Sequence, residues 1–201
     1  PPYVAKKEID YDYPEFKTAT CPDIYAACLE RASTLTKSDG RLSMIVHFSL
    51  TYGKRFQACR NLISERFGTI YKSTFGIRPS ALFTGVEIRC TILICSPEQG
   101  PFYSTNHNVW NSSQRPTLFE TLRYGEIPSS LLQNQWPNLG NPNLVELVKY
   151  LNQLPKIASV QSKQGTHKLW YKKTARYWLP VSFKEPPTYS KNNELLEGNT
   201  G

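Results

Sequence analysis

Pro1-Pro2-Tyr3 opens the chain with three residues whose types and order suit the gripping of a flat amine. Proline fixes its own φ and pushes the residue before it out of the helical region, so the pair forms a rigid, extended elbow. Neither proline carries an N–H. The elbow's carbonyls are therefore free to accept hydrogen bonds from elsewhere, and Tyr3 presents an aromatic face beside them. A nucleobase with an exocyclic amine matches that combination of acceptor and ring. Alone, such a string reads equally as a surface turn with a solvated tyrosine.

Other chemistries find less support in the residues. His47, His107 and His167 share no spacing with one another, with a cysteine or with a carboxylate that would suggest a metal or a triad, and all three read as structural. No serine lies in a Gly-x-Ser-x-Gly turn. The five cysteines form no Cys-x-x-Cys pair, and four sit in apolar patterns, as expected of reduced thiols in a cytoplasmic protein. No apolar run approaches the ~20 residues of a membrane span. The net charge of +8 favours an anionic partner, nucleic acid first.

The elements that must carry the elbow are legible as strands alternating with helices. Thr20-Cys21-Pro22-Asp23 reads as a helix start, with a Thr cap and an acid three residues on, and apolar residues then recur at helical spacing to Leu35. Asp23 is read first as that helix-start acid and second as a cofactor contact. Residues 41–48 read as a strand covered on both faces, and Phe56, Cys59, Ile63 and Phe67 mark a second amphipathic helix stopped by Gly68. A short strand over residues 69–71 precedes a loop over 73–83. Residues 86–95 alternate like a strand, with Val86, Ile88, Cys90, Ile92 and Ile94 on one face. Together these predict an α/β layer on a largely parallel sheet. The elbow would then lie where a preceding strand ends, the usual place for a ligand in such sheets.

Beyond residue 112 the pattern changes. A helix is expected over residues 116–122 and another over 144–154, with Pro128 and the Asn/Pro/Gly-rich stretch 134–143 marking a boundary. Residues 167–179 read as a basic, aromatic β-hairpin. Its Lys168, Lys172, Lys173 and Arg176 alternate with Trp170, Tyr171, Tyr177 and Trp178. They suit phosphates and bases, or equally a structural hairpin with solvated lysines. Residues 190–201 carry no pattern and read as frayed.

The order of these segments resembles the second half of adenine-N6 DNA methyltransferases of restriction–modification systems, of the Eco57I-like, Type IIG kind. Pro-Pro-Tyr-Val, then Pro22-Asp23-Ile24-Tyr25-Ala26, then residues 35–46 and residues 78–89 carry the likeness, which extends more loosely to 165–185. The resemblance implies the second half of a Rossmann-like, S-adenosylmethionine-dependent sheet over residues 1–127. A small α+β segment that begins a target-recognition region follows over 128–201. Pro1, Pro2 and Tyr3 match the last three positions of the family's Asn-Pro-Pro-Tyr catalytic motif. There the first proline's carbonyl holds the adenine amine and the aromatic stacks on the flipped base. Phe83 fits the second stacking aromatic. Arg78 and the hairpin cations Lys168, Lys172, Lys173 and Arg176 are candidate DNA contacts, while Arg89 suits either a phosphate or Glu87. The partners implied are double-stranded DNA and an amino half of the same enzyme carrying the S-adenosylmethionine motif. No Gly-x-Gly turn occurs in these residues, so their cofactor contacts are unassigned. A catalytically inactive DNA-binding remnant is the alternative.

Overall fold

A computed structural model describes residues 3–133, 135–156, 159, 167–172, 181–182 and 193–198. Backbone packing divides the chain into two compact units, residues 1–149 and 150–201.

The first unit is built on a five-stranded mixed sheet in the order β1-β3-β2-β4-β5: β1 Leu42–His47, β2 Thr69–Phe75, β3 Cys90–Ser96, β4 Phe102–Asn108 and β5 Tyr124–Ile127. The expectation of a largely parallel sheet is corrected here. β3 runs antiparallel to both β1 and β2, β5 runs antiparallel to β4, and only β2 and β4 are parallel neighbours. β1 and β2 nevertheless run in the same direction, because β3 is inserted between them. Between them in sequence come α2 (Ser49–Tyr52), a 3-10 turn over Lys54–Phe56, and α3 (Gln57–Arg66). The first helix, α1, spans Tyr25–Leu35.

Cross-strand register sets which face is buried, since directly paired residues share a face. Leu42, Val46, Leu93, Cys95, Ile70, Phe102 and Ile127 point to one side and bury against Tyr25, Ala26 and Leu29 of α1 and Cys59 and Ile63 of α3. The core face of β3 is therefore that of Leu93 and Cys95. Ile94, on the other face with Cys90 and Ile92, is 42% exposed. β1 is an edge strand covered on one face, with Ile45 exposed, rather than a strand buried on both. A smaller second cluster of Phe75, Leu82, Cys90, Trp110 and Leu118 covers part of the opposite face.

Several boundaries differ from the sequence reading. β2 runs on to Phe75 through what was expected to be loop, while β3 begins only at Cys90. β4 and β5 were not anticipated, because Phe102-Tyr-Ser-Thr-Asn-His-Asn and Tyr-Gly-Glu-Ile are too polar or too short to show a clear period of two. The helix expected over 116–122 is a 3-10 segment, Ser112–Thr117, followed by turns. Helix α4, Pro142–Gln153, forms as expected, but its buried residue is Val145, while Leu144, Leu147, Leu151 and Leu154 of the apolar stripe are exposed.

Residues 128–149 pack with the first unit. Trp136 is 2% exposed, its ring lies 5.2 Å from that of Phe102, and its backbone N–H donates to the Thr51 carbonyl at 2.7 Å. Beneath it, Lys72 is fully buried on the core face of β2. Its ammonium donates to the carbonyls of Trp136 (2.9 Å) and Pro137 (2.7 Å) and to Oδ1 of Asn138 (2.6 Å). The polar stretch that reads as a boundary is thus pinned to the sheet by a cation no periodicity would place inside.

The second unit contains a three-stranded antiparallel sheet, β7-β6-β8, with β6 His167–Lys172, β7 Val181–Ser182 and β8 Asn193–Gly198. β8 replaces the expected frayed terminus over part of its length, pairing residue for residue with β6.

Candidate functional site

The residues following the elbow are held by a short pairing that also explains why α1 starts late. The Lys6 N–H donates to the Pro22 carbonyl at 2.7 Å, the Ile24 N–H donates to the Val4 carbonyl at 3.0 Å, and Ala5 and Asp23 form an antiparallel bridge. Pro22 and Asp23 are therefore tied to residues 5 and 6 instead of opening the helix, and Ile24, its N–H on the Val4 carbonyl, already has helical backbone angles and takes the N-cap position. The Thr20 cap expected from sequence is not made, and the helix begins at Tyr25 with no side-chain cap.

This pairing brings Tyr3 to the edge where the strands end. Registers put His47 of β1, Phe75 of β2 and Asn108 of β4, all near or at carboxyl ends, beside Cys90 at the start of β3. The ring of Tyr3 stacks on the His47 imidazole, with centroids 4.3 Å apart and planes at 23°, and its centroid lies 6.4 Å from that of Tyr25. Tyr3 stays 49% exposed, so the stack still presents aromatic surface to a ligand. It lines a cleft of ≈ 1090 Å³ together with Asp23, His47, Ser49 and Tyr52.

The imidazole under Tyr3 is fixed in orientation. Its Nδ1 accepts the Ser49 backbone N–H at 3.1 Å and lies 2.7 Å from Ser49 Oγ, which is in turn 3.0 Å from the Tyr25 hydroxyl. An Nδ1 that accepts a backbone donor leaves the neutral ring's proton on Nε2. Burial holds His47 below the ordinary imidazole range, opposed by Asp23 and reinforced by Arg89. Burial likewise raises the Asp23 carboxyl, against the pull of His47 and Arg55. Tyr3 is shifted upward, first by burial and then by Asp23 and Tyr52. A neutral imidazole backing a neutral phenol makes a stacking platform rather than a proton relay.

The wall that carries Ser49 and Tyr52 is braced from beneath by Arg60, which is 1% exposed. Its guanidinium donates to the carbonyls of Leu50 (2.7 Å) and Gly53 (3.0 Å) and to Oε1 of Gln57 (2.7 Å). Arg60→Lys keeps the charge but loses the planar fork. It should lower unfolding free energy by about 1–2 kcal/mol, readable as a drop in denaturant midpoint at unchanged m-value. An unchanged midpoint would mean that the wall stands without this brace.

The other sequence candidates fall as follows. Pro1 and Pro2 lie outside the described residues. Phe83 sits in the loop between β2 and β3, 45% exposed, and makes none of the ring contacts that involve Tyr3. That loop is anchored by buried Leu82 and by Arg115, whose guanidinium donates to the carbonyls of Leu82 (2.9 Å) and Ala81 (3.0 Å). Arg78 pairs with Glu87 at 2.8 Å, so Arg89 is not that acid's partner. Both members of the pair are largely exposed, where such a contact contributes little. Lys168 and Lys172 belong to β6, while Lys173 and Arg176 lie outside the described residues.

Sequence reasoning missed the His47–Ser49–Tyr25 chain and the aromatic group beside it. In that group Phe48 lies 4.9 Å from Tyr52 and 5.6 Å from His107, centroid to centroid. The available signal was positional: His47 ends a strand at the edge where ligands bind. Among the described residues no three His, Cys, Asp or Glu side chains gather to hold a metal, all five cysteines are free, and no helix is long and apolar enough to cross a membrane.

Comparison with known proteins adds a family. Residues 1–73 match the model of the Eco57I restriction-modification methylase family. No curated protein matches the chain. Among solved structures it is similar to the cryoEM structure of a DrdV–DNA complex, at 14% identity and a TM-score of 0.44, over 57% of this chain. The chain spans 13% of the length of that one.

Proposed function

We propose that this chain, whose residues 1–73 match the Eco57I restriction-modification methylase family, is part of a site-specific DNA methyltransferase that moves a methyl group from S-adenosylmethionine to adenine N6. The observation that carries this reading is the half-exposed Tyr3 ring, held flat on His47 in a cleft at the carboxyl edge of the sheet. In this reading residues 1–127 are the second half of a Rossmann-like catalytic sheet. Residues 128–201 begin the target-recognition region, although 128–149 pack with the first unit. The same-direction pair β1 and β2, linked through α3, supports the Rossmann-like part. An amino half of the same enzyme is its partner, and the cytoplasm its compartment.

Tyr3 stacks on the extruded adenine while the Pro1 carbonyl accepts from its amine, which aims the nitrogen lone pair away from the ring plane. Phe83 closes the other face of the base once DNA is bound. Arg78, Lys168, Lys172, Lys173 and Arg176 contact the duplex. S-adenosylmethionine supplies an electrophilic methyl group. The described residues do not form a cradle for it: at Gly53, the glycine lining the cleft, a Cβ would meet the Phe56 ring and the Ser49 carbonyl, so the space is already filled by the chain's own packing.

The test is transfer of labelled methyl from S-adenosylmethionine to DNA by the protein at its natural length, followed by digestion to nucleosides. Label in N6-methyladenine is the expected result. Label in a methylated cytosine would overturn the adenine assignment. DNA binding with no incorporation would favour the alternative, an inactive remnant that holds DNA.

A further inference from the structure

The cleft beside Tyr3 carries more positive charge than its own contacts use. Lys7 follows the elbow, Lys54 and Arg55 occupy the turn after α2, and all three line the cleft and are exposed. None of them takes part in an ion pair or side-chain hydrogen bond among the described residues, where Lys6, Lys17, Arg41, Arg78 and Lys149 all do. Lys6, the fourth cation of the cleft, is fully engaged: with Asp12 at 3.0 Å, with the Ala19 carbonyl at 2.9 Å and over the Tyr13 ring. The acid lining the cleft is Asp23, raised by burial against the electrostatic pull of His47 and Arg55, and it forms no ion pair with Arg55.

We propose that Lys7, Lys54 and Arg55 form a phosphate-binding rim that holds the nucleic-acid backbone flanking the base seated on Tyr3. This rests on the reading of Tyr3 as a base platform. Cations from two segments nearly fifty positions apart in sequence converge on one concave surface, and like charges brought together repel unless an anion joins them. A phosphodiester strand supplies such anions at regular intervals on either side of one base. Arg55 offers a planar fork and the lysines compact point charges, the usual division of labour at phosphates. Contacts of this kind fix register without reading sequence.

Salt dependence of binding distinguishes a phosphate rim from a merely solvated one. Binding of a fluorescein-labelled DNA duplex by the natural-length protein would be titrated across salt concentrations, for the wild type and for the triple Lys7→Ala, Lys54→Ala, Arg55→Ala variant. A control triple, Lys17→Ala, Lys37→Ala and Arg41→Ala, removes the same charge outside the cleft. The rim triple should flatten the slope of log K against log salt by roughly 0.9 per lost contact, about 2–3 in all, with the control triple near the wild type. Equal slopes for wild type and rim triple would overturn the rim while leaving the base platform to its own methylation test. Equal flattening by both triples would overturn it too, by reducing the effect to net charge. Salt-independent binding, or none, by the wild type would overturn both the rim and the DNA reading.

Discussion

Lys72→Met should lower the stability of the first unit by about 2–4 kcal/mol, although Met is close to the lysine in length and belongs in an apolar layer. Three oxygen acceptors surround the ammonium, from Trp136, Pro137 and Asn138, and a thioether leaves them all without their donor. An unsatisfied buried acceptor costs about 1–3 kcal/mol, offset in part because the variant no longer buries a charge. For a chain of this size the loss corresponds to a fall in melting temperature of roughly 5–15 °C. Lys149→Met, which breaks an exposed pair with Glu146, should change stability by less than about 1 kcal/mol. The effect should also depend on pH. Burial pulls Lys72 down to about 7, against an ordinary value of 10.5. Between those values the unfolded chain holds a proton the folded chain has released, so wild-type stability rises with pH across that window. The Met variant lacks this rise, and its deficit should widen from pH 7 toward pH 10. A deficit that stayed constant would mean the three acceptors hold the ammonium protonated throughout.

Lys72 also marks the limit of what the sequence discloses. Elements with a strong period were legible: α1, α3, α4, the Leu42–His47 strand and the core of β3 all rest on apolar residues recurring at 3.6 or 2.0. The strand directions were not. Alternation of strand and helix predicts parallel pairing, and nothing in the segment from β2 to β3 announces a reversal that slots β3 between β1 and β2. Which face of β3 meets the main core was not legible for a related reason: apolar residues occur on both its faces, and cross-strand partners decide which is buried. Local helix chemistry misled at residues 20–23, where a good cap sequence is overridden by the tertiary pairing of residues 4–6 with 22–24. At the candidate site, the motif singles out Tyr3 as a candidate. Its support by His47, Ser49 and Tyr25 depends on contacts between segments more than twenty residues apart and has no spacing signature.

On the proposed function, Tyr3→Ala in the natural-length protein should slow single-turnover methyl transfer by about 10²-fold while changing DNA affinity far less. A lost base-stacking partner costs about 1–3 kcal/mol, each 1.4 kcal/mol being tenfold in rate, and Tyr3 sits toward the upper end because its ring is already ordered. The stack on His47 and the neighbouring Tyr25 hold it before any ligand arrives, so little conformational entropy is lost when a base joins the pile. Affinity is governed instead by backbone phosphates that the ring does not touch. Tyr3→Phe keeps the face and should stay within a fewfold of wild type, which separates stacking from any role of the hydroxyl. Phe83→Ala should act in the same direction but more weakly, about 5- to 10-fold, because its loop meets the base only after extrusion. Tyr3→Ala should therefore shift the rate constant and leave the equilibrium, a split that simple unfolding would not give. If Tyr3→Ala and Phe83→Ala both leave single-turnover rates unchanged, the two-aromatic pocket is wrong, and the Tyr3–His47 stack is an internal strut of the elbow rather than a seat for adenine.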